Sequence, residues 1–341
     1  MTTRRRTFLF SAAPMILGAT NKSGSQRPVV GSGEFTYEAI HDWGTLPPNI
    51  RYGNTHGVCE DSHGHMYVHH TVHETSESHD SMVVFDAKGK FVRSWGRDFR
   101  GGAHGLHLRQ EGGQEFLYRC DTKRAVVVKA TLQGEEVWSL GYPKESPAYA
   151  PSPDGKLPKY SPTNLAIAPN GDIYVGDGYG SSFINVYNSK GEYLRTFGGK
   201  GSQAGQLDCP HGITIDARGA QPLLLVADRA NKRLQYFSLD GKHLRFDYGV
   251  NLPCHFSERN GVLVIPDLAA RVTLLDRNNK VIEHLGEDAS NTWATLRKEP
   301  RDKFLPGKFI CPHGACFDHH GNIFVVEWVE VGRVTKLRKV A

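Results

Sequence analysis

Beyond its first twenty residues the sequence has no apolar run long enough to cross a membrane. It also lacks a large surplus of one charge. Forty-one Lys and Arg against 36 Asp and Glu leave a formal net charge of +5, part of it carried by Arg4, Arg5 and Arg6. No stripe of interleaved aromatic and basic residues accompanies that charge, so nothing points to a nucleic-acid partner. Cysteine is sparse: Cys59, Cys120, Cys209, Cys254, Cys311 and Cys316 are the only six. An even count permits disulfides in an exported protein, but small buried thiols are the preferred reading. What remains is ordinary for a soluble chain, 39% hydrophobic and 23% charged, with 341 residues to build a sizeable core.

The N-terminus reads "MTTRRRTFLFSAAPMILGAT". The pair Arg5-Arg6 precedes Thr-Phe-Leu and an apolar run ending near Ala19, which resembles a twin-arginine export signal. Residues 1–30 are therefore assigned to the signal and a linker, and residues 31–341 to the folded unit. The segment is either cleaved near Ala19 or kept as an anchor. Either way the expected location is periplasmic or extracellular.

The rest of the chain repeats itself. "NLAIAPNGDIYVGDGYGSSFINVYNSKGEYLRTFGG" and "HGITIDARGAQPLLLVADRANKRLQYFSLDGKHLRFDYG" follow one plan. Each has four short apolar runs, separated by Gly-containing turns, with an Asp closing the second run. Four strands per unit with turn signals between them predict a four-stranded antiparallel blade. The pattern starts at His56, His104, Asn164, His211, His255 and His313, at intervals of roughly 44 to 60 residues. A single such sheet cannot bury both faces, whereas six packed radially can. A β-solenoid would need a short fixed period that is missing. The last unit stops after three strands. The segment Phe35 to Gly44, "FTYEAIHDWG", matches the missing fourth, so the N-terminal strand is expected to close the ring. The fold class is all-β, a six-bladed propeller whose repeat signature resembles the NHL type.

The opening residues of the inner strands share one face of such a ring. Alternate blades stand about 120° apart, so His104, His211 and His313 form an all-imidazole set, while His56, Asn164 and His255 form a poorer one. Three converging neutral imidazoles suit Zn²⁺ at about 2.0–2.1 Å with a fourth position open. The linkers Tyr142 to Pro162 and Glu287 to Lys308, and the loop His69 to Asp80, fall on the same face and suggest a walled site. Tyr179, in "GDGY", and Arg229, in "VADR", occupy equivalent loops of blades three and four. Beside a metal, a phenol and a guanidinium can serve as base and anion holder.

This constellation resembles the peptidyl-α-hydroxyglycine α-amidating lyases, which cleave a peptidyl hydroxyglycine to a peptide amide and glyoxylate. The resemblance implies zinc on His104, His211 and His313, with Tyr179 and Arg229 as catalytic residues. It also implies a small-molecule or peptide-derived substrate. Three features depart from the family. The second active-site arginine should fall in the blade-one loop, which reads "VHHTVH" around His70. The acidic ligand of the family's structural calcium, expected after the third zinc histidine, is Gly314, which puts Ca²⁺ in doubt. The cysteines of the family's loop disulfides have no clear counterparts. A lactonase-like hydrolase and a non-catalytic exported binding propeller are the competing readings.

Overall fold

A computed structural model describes residues 27–340. The twin-arginine segment with Arg5 and Arg6 lies outside the described residues. Six antiparallel sheets form a six-bladed propeller, five of four strands and one of five. The inner strands run Thr55–Glu60, Ala103–Glu111, Asn164–Ile167, Pro210–Asp216, Ser257–Arg259 and Pro312–Phe317. No helix among the described residues is long and apolar enough to cross a membrane.

Position in the blade decides the composition of each strand. Second and third strands lie between neighbouring blades and are buried on both faces. They read as near-continuous apolar runs, such as Met82–Phe85 (MVVF) and Ile323–Glu327 (IFVVE). Fourth strands sit at the rim and mix polar with apolar residues, as in Phe91–Trp95 (FVRSW) and His243–Asp247 (HLRFD). The core is consequently a series of inter-blade seams. One seam joins Val58, Met66 and Phe85 of blade one to Phe324 and Val326 of blade six.

The ring's seam lies in blade six. Tyr37–Ile40 pairs antiparallel with the C-terminal strand Arg333–Lys339, with Tyr37 opposite Lys339 and Ile40 opposite Lys336. Val29–Val30 adds a fifth strand outside it, so sheet pairing begins ahead of residue 31. Trp43 then fills the seam edge-on, with ring centroids 5.6 Å from Phe85 and 4.7 Å from Phe324.

Buried carboxylates at the ends of second strands hold the linkers that lead into the inner strands. Asp177 accepts from the Ser161 N–H at 2.6 Å, and Asp228 from the Asp208 N–H at 2.7 Å. Glu327 accepts from Ile310 N–H at 2.7 Å and Cys311 N–H at 3.2 Å, and pairs with buried Arg333. Without such acceptors these backbone donors would be left unpaired on taking up their buried positions. In blades three, four and six the carboxylate that closes the second run thus fastens the linker just ahead of the inner strand.

The closure strand is open to a direct test. Removing residues 27–44 strips Tyr37 and Trp43 from the core, a loss of about 3–6 kcal/mol from burial alone. The truncated protein should melt roughly 10 °C below the folded unit that retains them. Equal melting by calorimetry would show that the strand does not close the ring.

Candidate metal centre

The centre is built by a local irregularity that recurs around the ring and, in four blades, contains a His-Gly pair. In blades one, two, four and six the inner strand opens with a register shift. The shifts lie between Thr55 and Gly57, Ala103 and Leu106, Pro210 and Ile213, and Pro312 and Gly314. Each shift contains a His-Gly pair: His56-Gly57, His104-Gly105, His211-Gly212, His313-Gly314. A bulge of this kind re-aims its side chain. The glycine is needed because the next blade's inner strand comes very close. A Cβ on Gly212 would stand 2.7 Å from the Cys254 carbonyl oxygen, and one on Gly314 would stand 2.5 Å from that of His56.

Those same carbonyls orient the rings. His104 Nδ1 lies 2.7 Å from Thr163 O, His211 Nδ1 2.9 Å from Cys254 O, and His313 Nδ1 3.0 Å from His56 O. A carbonyl can only accept, so each Nδ1 carries the proton and each Nε2 keeps its lone pair. This is the arrangement by which an outer partner fixes the tautomer of a metal-binding histidine. The three rings are mutual neighbours, with centroid separations of 4.7 Å (His104 to His211), 4.7 Å (His104 to His313) and 4.6 Å (His211 to His313). The three imidazoles expected to converge are therefore together.

Two neighbours differ from the sequence-based expectation. His56, placed there in the poorer set, stands in the same cluster, 4.8 Å from the His104 ring and 4.4 Å from that of His313. His255 does not. Pro253 bridges Asp267 as Pro210 pairs with Asp228 and Pro312 with Glu327. Cys254, one residue earlier, is therefore the counterpart of His211 and His313. Blade five writes Pro-Cys-His-Phe where blades four and six write Cys-Pro-His-Gly, so its own register shift, between Pro253 and Ser257, carries Cys254 and His255 but no glycine. His255 instead belongs to a deeper tier, its ring 5.0 Å from that of His107, whose Nε2 is 2.6 Å from Asn164 Oδ1. The His-Gly dipeptide was the readable signal. It includes His56 and leaves out His255.

Donor atoms come together in two groups, His56 with His104 and His313, and His211 with Cys254 and His313; within each, all lie within 4.8 Å of one another. The gap between His104 and His211 is filled by Tyr179, whose hydroxyl is 3.2 Å from one Nε2 and 3.0 Å from the other. Arg229 donates to that hydroxyl at 3.4 Å and lies across the Tyr179 ring. The two expected catalytic residues thus meet the histidines. The blade-one loop supplies no arginine: His69 and His70 are buried there, and neither His69 ring nitrogen has a partner.

Burial sets the protonation of the cluster. It pushes His104 down to about 3, against an upward pull from Thr163, and it pushes His56, His211 and His313 well below the usual 6.5. Burial likewise raises Tyr179 to about 12, with Arg229 pulling it down, so the protein's own charges leave a neutral phenol. Burial works against the charge of Arg229, but Tyr179, Cys254 and Cys209 hold its pKa above the usual value. Among the described residues Arg229 has no carboxylate partner. The linkers wall this face. Tyr149, from the blade-two-to-three linker, donates to Asp177 at 2.7 Å, and Trp293, from the five-to-six linker, packs beside Cys254 and Cys311. All six cysteines are free thiols.

No family model matches the chain. Among curated proteins it is 26% identical over 201 residues to human NHL repeat-containing protein 3, covering 57% of this chain and 54% of that one. It is 30% identical over 167 residues to peptidyl-α-hydroxyglycine α-amidating lyase 1 of Drosophila melanogaster, covering 46% of this chain and 29% of that one. The chain resembles an NHL-repeat propeller of the amidating-lyase kind. It spans about half or less of the length of these two relatives. Among solved structures, a gluconolactonase from Xanthomonas campestris superposes with a TM-score of 0.60 at 12% identity, covering 92% of this chain and 96% of that one. A streptogramin B lyase gives 0.58 at 13% identity, covering 90% and 99%. These likenesses establish the fold.

The buried neutral histidines give a pH signature. Above the unfolded value of about 6.5 both states are neutral. Below it the unfolded chain binds protons that His104 refuses until about pH 3, and that burial makes His56, His211 and His313 refuse as well. Stability therefore falls as pH drops from 6.5, by about 1.4 kcal/mol per unit for each such histidine. Denaturant titrations in the presence of a chelator, from pH 7 to pH 5, should show a loss of several kcal/mol. A flat profile would mean that the rings are protonated in the fold.

Proposed function

We propose that this propeller is a metal-dependent carbon–nitrogen lyase that cleaves an N-acyl- or peptidyl-α-hydroxyglycine to an amide and glyoxylate. One observation carries the proposal: three imidazoles from alternate blades, each with Nδ1 tied to a backbone carbonyl, stand together, with Tyr179 between two of them and beside it a guanidinium that has no carboxylate partner among the described residues. The donor set fits Zn²⁺, since neutral nitrogen donors with an outer hydrogen-bond partner are its usual protein ligands. When bound, Zn²⁺ supplies a Lewis acid for the oxygen on which charge develops. The calcium of the related lyases has no such support, because Gly314 offers no carboxylate.

The chain's own groups account for the rest of the chemistry. Arg229, lacking a carboxylate of its own, receives the substrate's, bidentately if both oxygens reach its fork. That contact places the carbinol carbon beside the Tyr179 hydroxyl. The reaction removes the hydroxyl proton, breaks the C–N bond with its electrons going to nitrogen, and protonates that nitrogen. The carbinol carbon becomes the aldehyde of glyoxylate. A neutral Tyr179 can serve both proton transfers, accepting the hydroxyl proton at Oη as it delivers its own to the leaving amide. The twin-arginine segment places the enzyme, in this reading, outside the cytoplasm.

Purified full-length protein loaded with zinc should release glyoxylate from a synthetic N-benzoyl-α-hydroxyglycine. Tyr179→Phe should keep its zinc and lose about 10²–10⁴ in rate. Arg229→Ala should raise KM and lower kcat together. No glyoxylate above the buffer rate, with turnover of an aldonolactone instead, would replace the lyase reading by a hydrolase. Full metal content after His211→Ala, by elemental analysis, would remove the ligand assignment.

A further inference from the structure

Cys254 occupies the ring position that carries histidine in blades one, two, four and six. Its backbone is fixed there from both sides: the Pro253–Asp267 bridge precedes it, and its own N–H donates to Pro266 O at 2.9 Å. The side chain is 1% exposed, and its Sγ is grouped with a ring nitrogen of His211 and of His313 within 4.8 Å. Two donors on one ion, at about 2.0–2.3 Å each, stand at most about 4.6 Å apart. The trio therefore needs only a small inward adjustment to share one. Cys209 and Cys311, two residues before their histidines, join neither donor group. The inverted order Pro-Cys in blade five is what brings sulfur into the histidine tier.

Charge gives the second argument. A divalent ion here would sit beside the Arg229 guanidinium, which reaches to 3.9 Å from Cys254 Sγ. Neither donor group contains a carboxylate. A buried dication next to an unpaired cation needs an anion close by. We infer that Cys254 is a sulfur ligand of the metal centre, held between His211 and His313 and binding as thiolate. This rests on the metal reading proposed above and goes beyond it. The thiol proton leaves to solvent as the metal–sulfur bond forms, and no oxidant or reductant is involved. Cys254, His211 and His313 would be three protein donors, which leaves a fourth place on the ion.

The test uses full-length protein stripped with chelator and reloaded with Co²⁺. The wild type should show a sulfur-to-cobalt charge-transfer band in the near ultraviolet. Cys254→Ser should bind about one equivalent of cobalt and lose the band, while Cys209→Ser and Cys311→Ser keep it. X-ray absorption at the zinc edge of the wild type should show one sulfur at about 2.3 Å beside the nitrogen shell. That measurement needs no variant, so a misfolded Cys254→Ser would not shield the inference. Bound cobalt without the band, a band that survives Cys254→Ser, or a zinc shell of nitrogen and oxygen alone overturns it. Failure to bind either metal would instead overturn the metal reading itself, and the ligand with it.

Discussion

The hydrogen bond from a histidine Nδ1 to the backbone carbonyl of a neighbouring inner strand is the constraint on which this site depends. It appears at His104, His211 and His313. Each bond has one end in one blade and the other end in the next, so the Nε2 atoms stay gathered only while adjacent blades stay in register. Glycine after each histidine makes the approach close enough, and in blades four and six the carboxylate at the end of the second strand holds the linker that leads into the inner strand. Ring closure by the N-terminal strand then matters to the site as well as to stability. His313 and its acceptor at His56 lie across the boundary between blades six and one that Trp43 fills.

Three-fold order follows from that constraint. Between His104 and His211 stands the phenol of Tyr179, between His211 and His313 the thiol of Cys254, and between His313 and His104 the imidazole of His56. Three chemically different groups thus occupy three equivalent gaps. A phenol can move a proton, a thiolate can balance charge, and a third imidazole can add a donor or crowd the ring. Blades three and five have no histidine in this tier: blade three keeps its register from Asn164 to Ile167, and blade five carries Cys254 inside its shift. Asn164 sits in the deeper layer with His107 and His255.

Electrostatics separate this centre from an ordinary buried polar cluster. Burial keeps the imidazoles neutral, which is the state a metal requires of them. It also keeps Tyr179 protonated, so the phenol is more naturally a relay than a standing base. Arg229 is the exception, a retained charge with no carboxylate beside it. In the function proposed above, an anionic substrate is what balances it once bound.

Much of this was legible in the sequence. Repetition of four apolar runs revealed the blades, because a sheet buried on both faces needs apolar strands at fixed intervals. The unfinished last unit and the matching Phe35 to Gly44 segment revealed the closure. His104, His211 and His313 stood out because identical steps around a ring bring alternate units onto one axis. The placement of His255 went wrong by one residue, since a Pro-Cys inversion changes nothing in the apolar pattern that the repeat was read from. Cys254 and His56 were decided only by the tertiary structure. Whether a residue at the mouth of a blade faces the axis depends on a bulge and on how closely the next inner strand approaches. Sequence periodicity determined how many blades there are and which residues open them. Contacts between blades determined which of those residues share a centre, because orientation at a strand's first residue is set by the neighbour it touches.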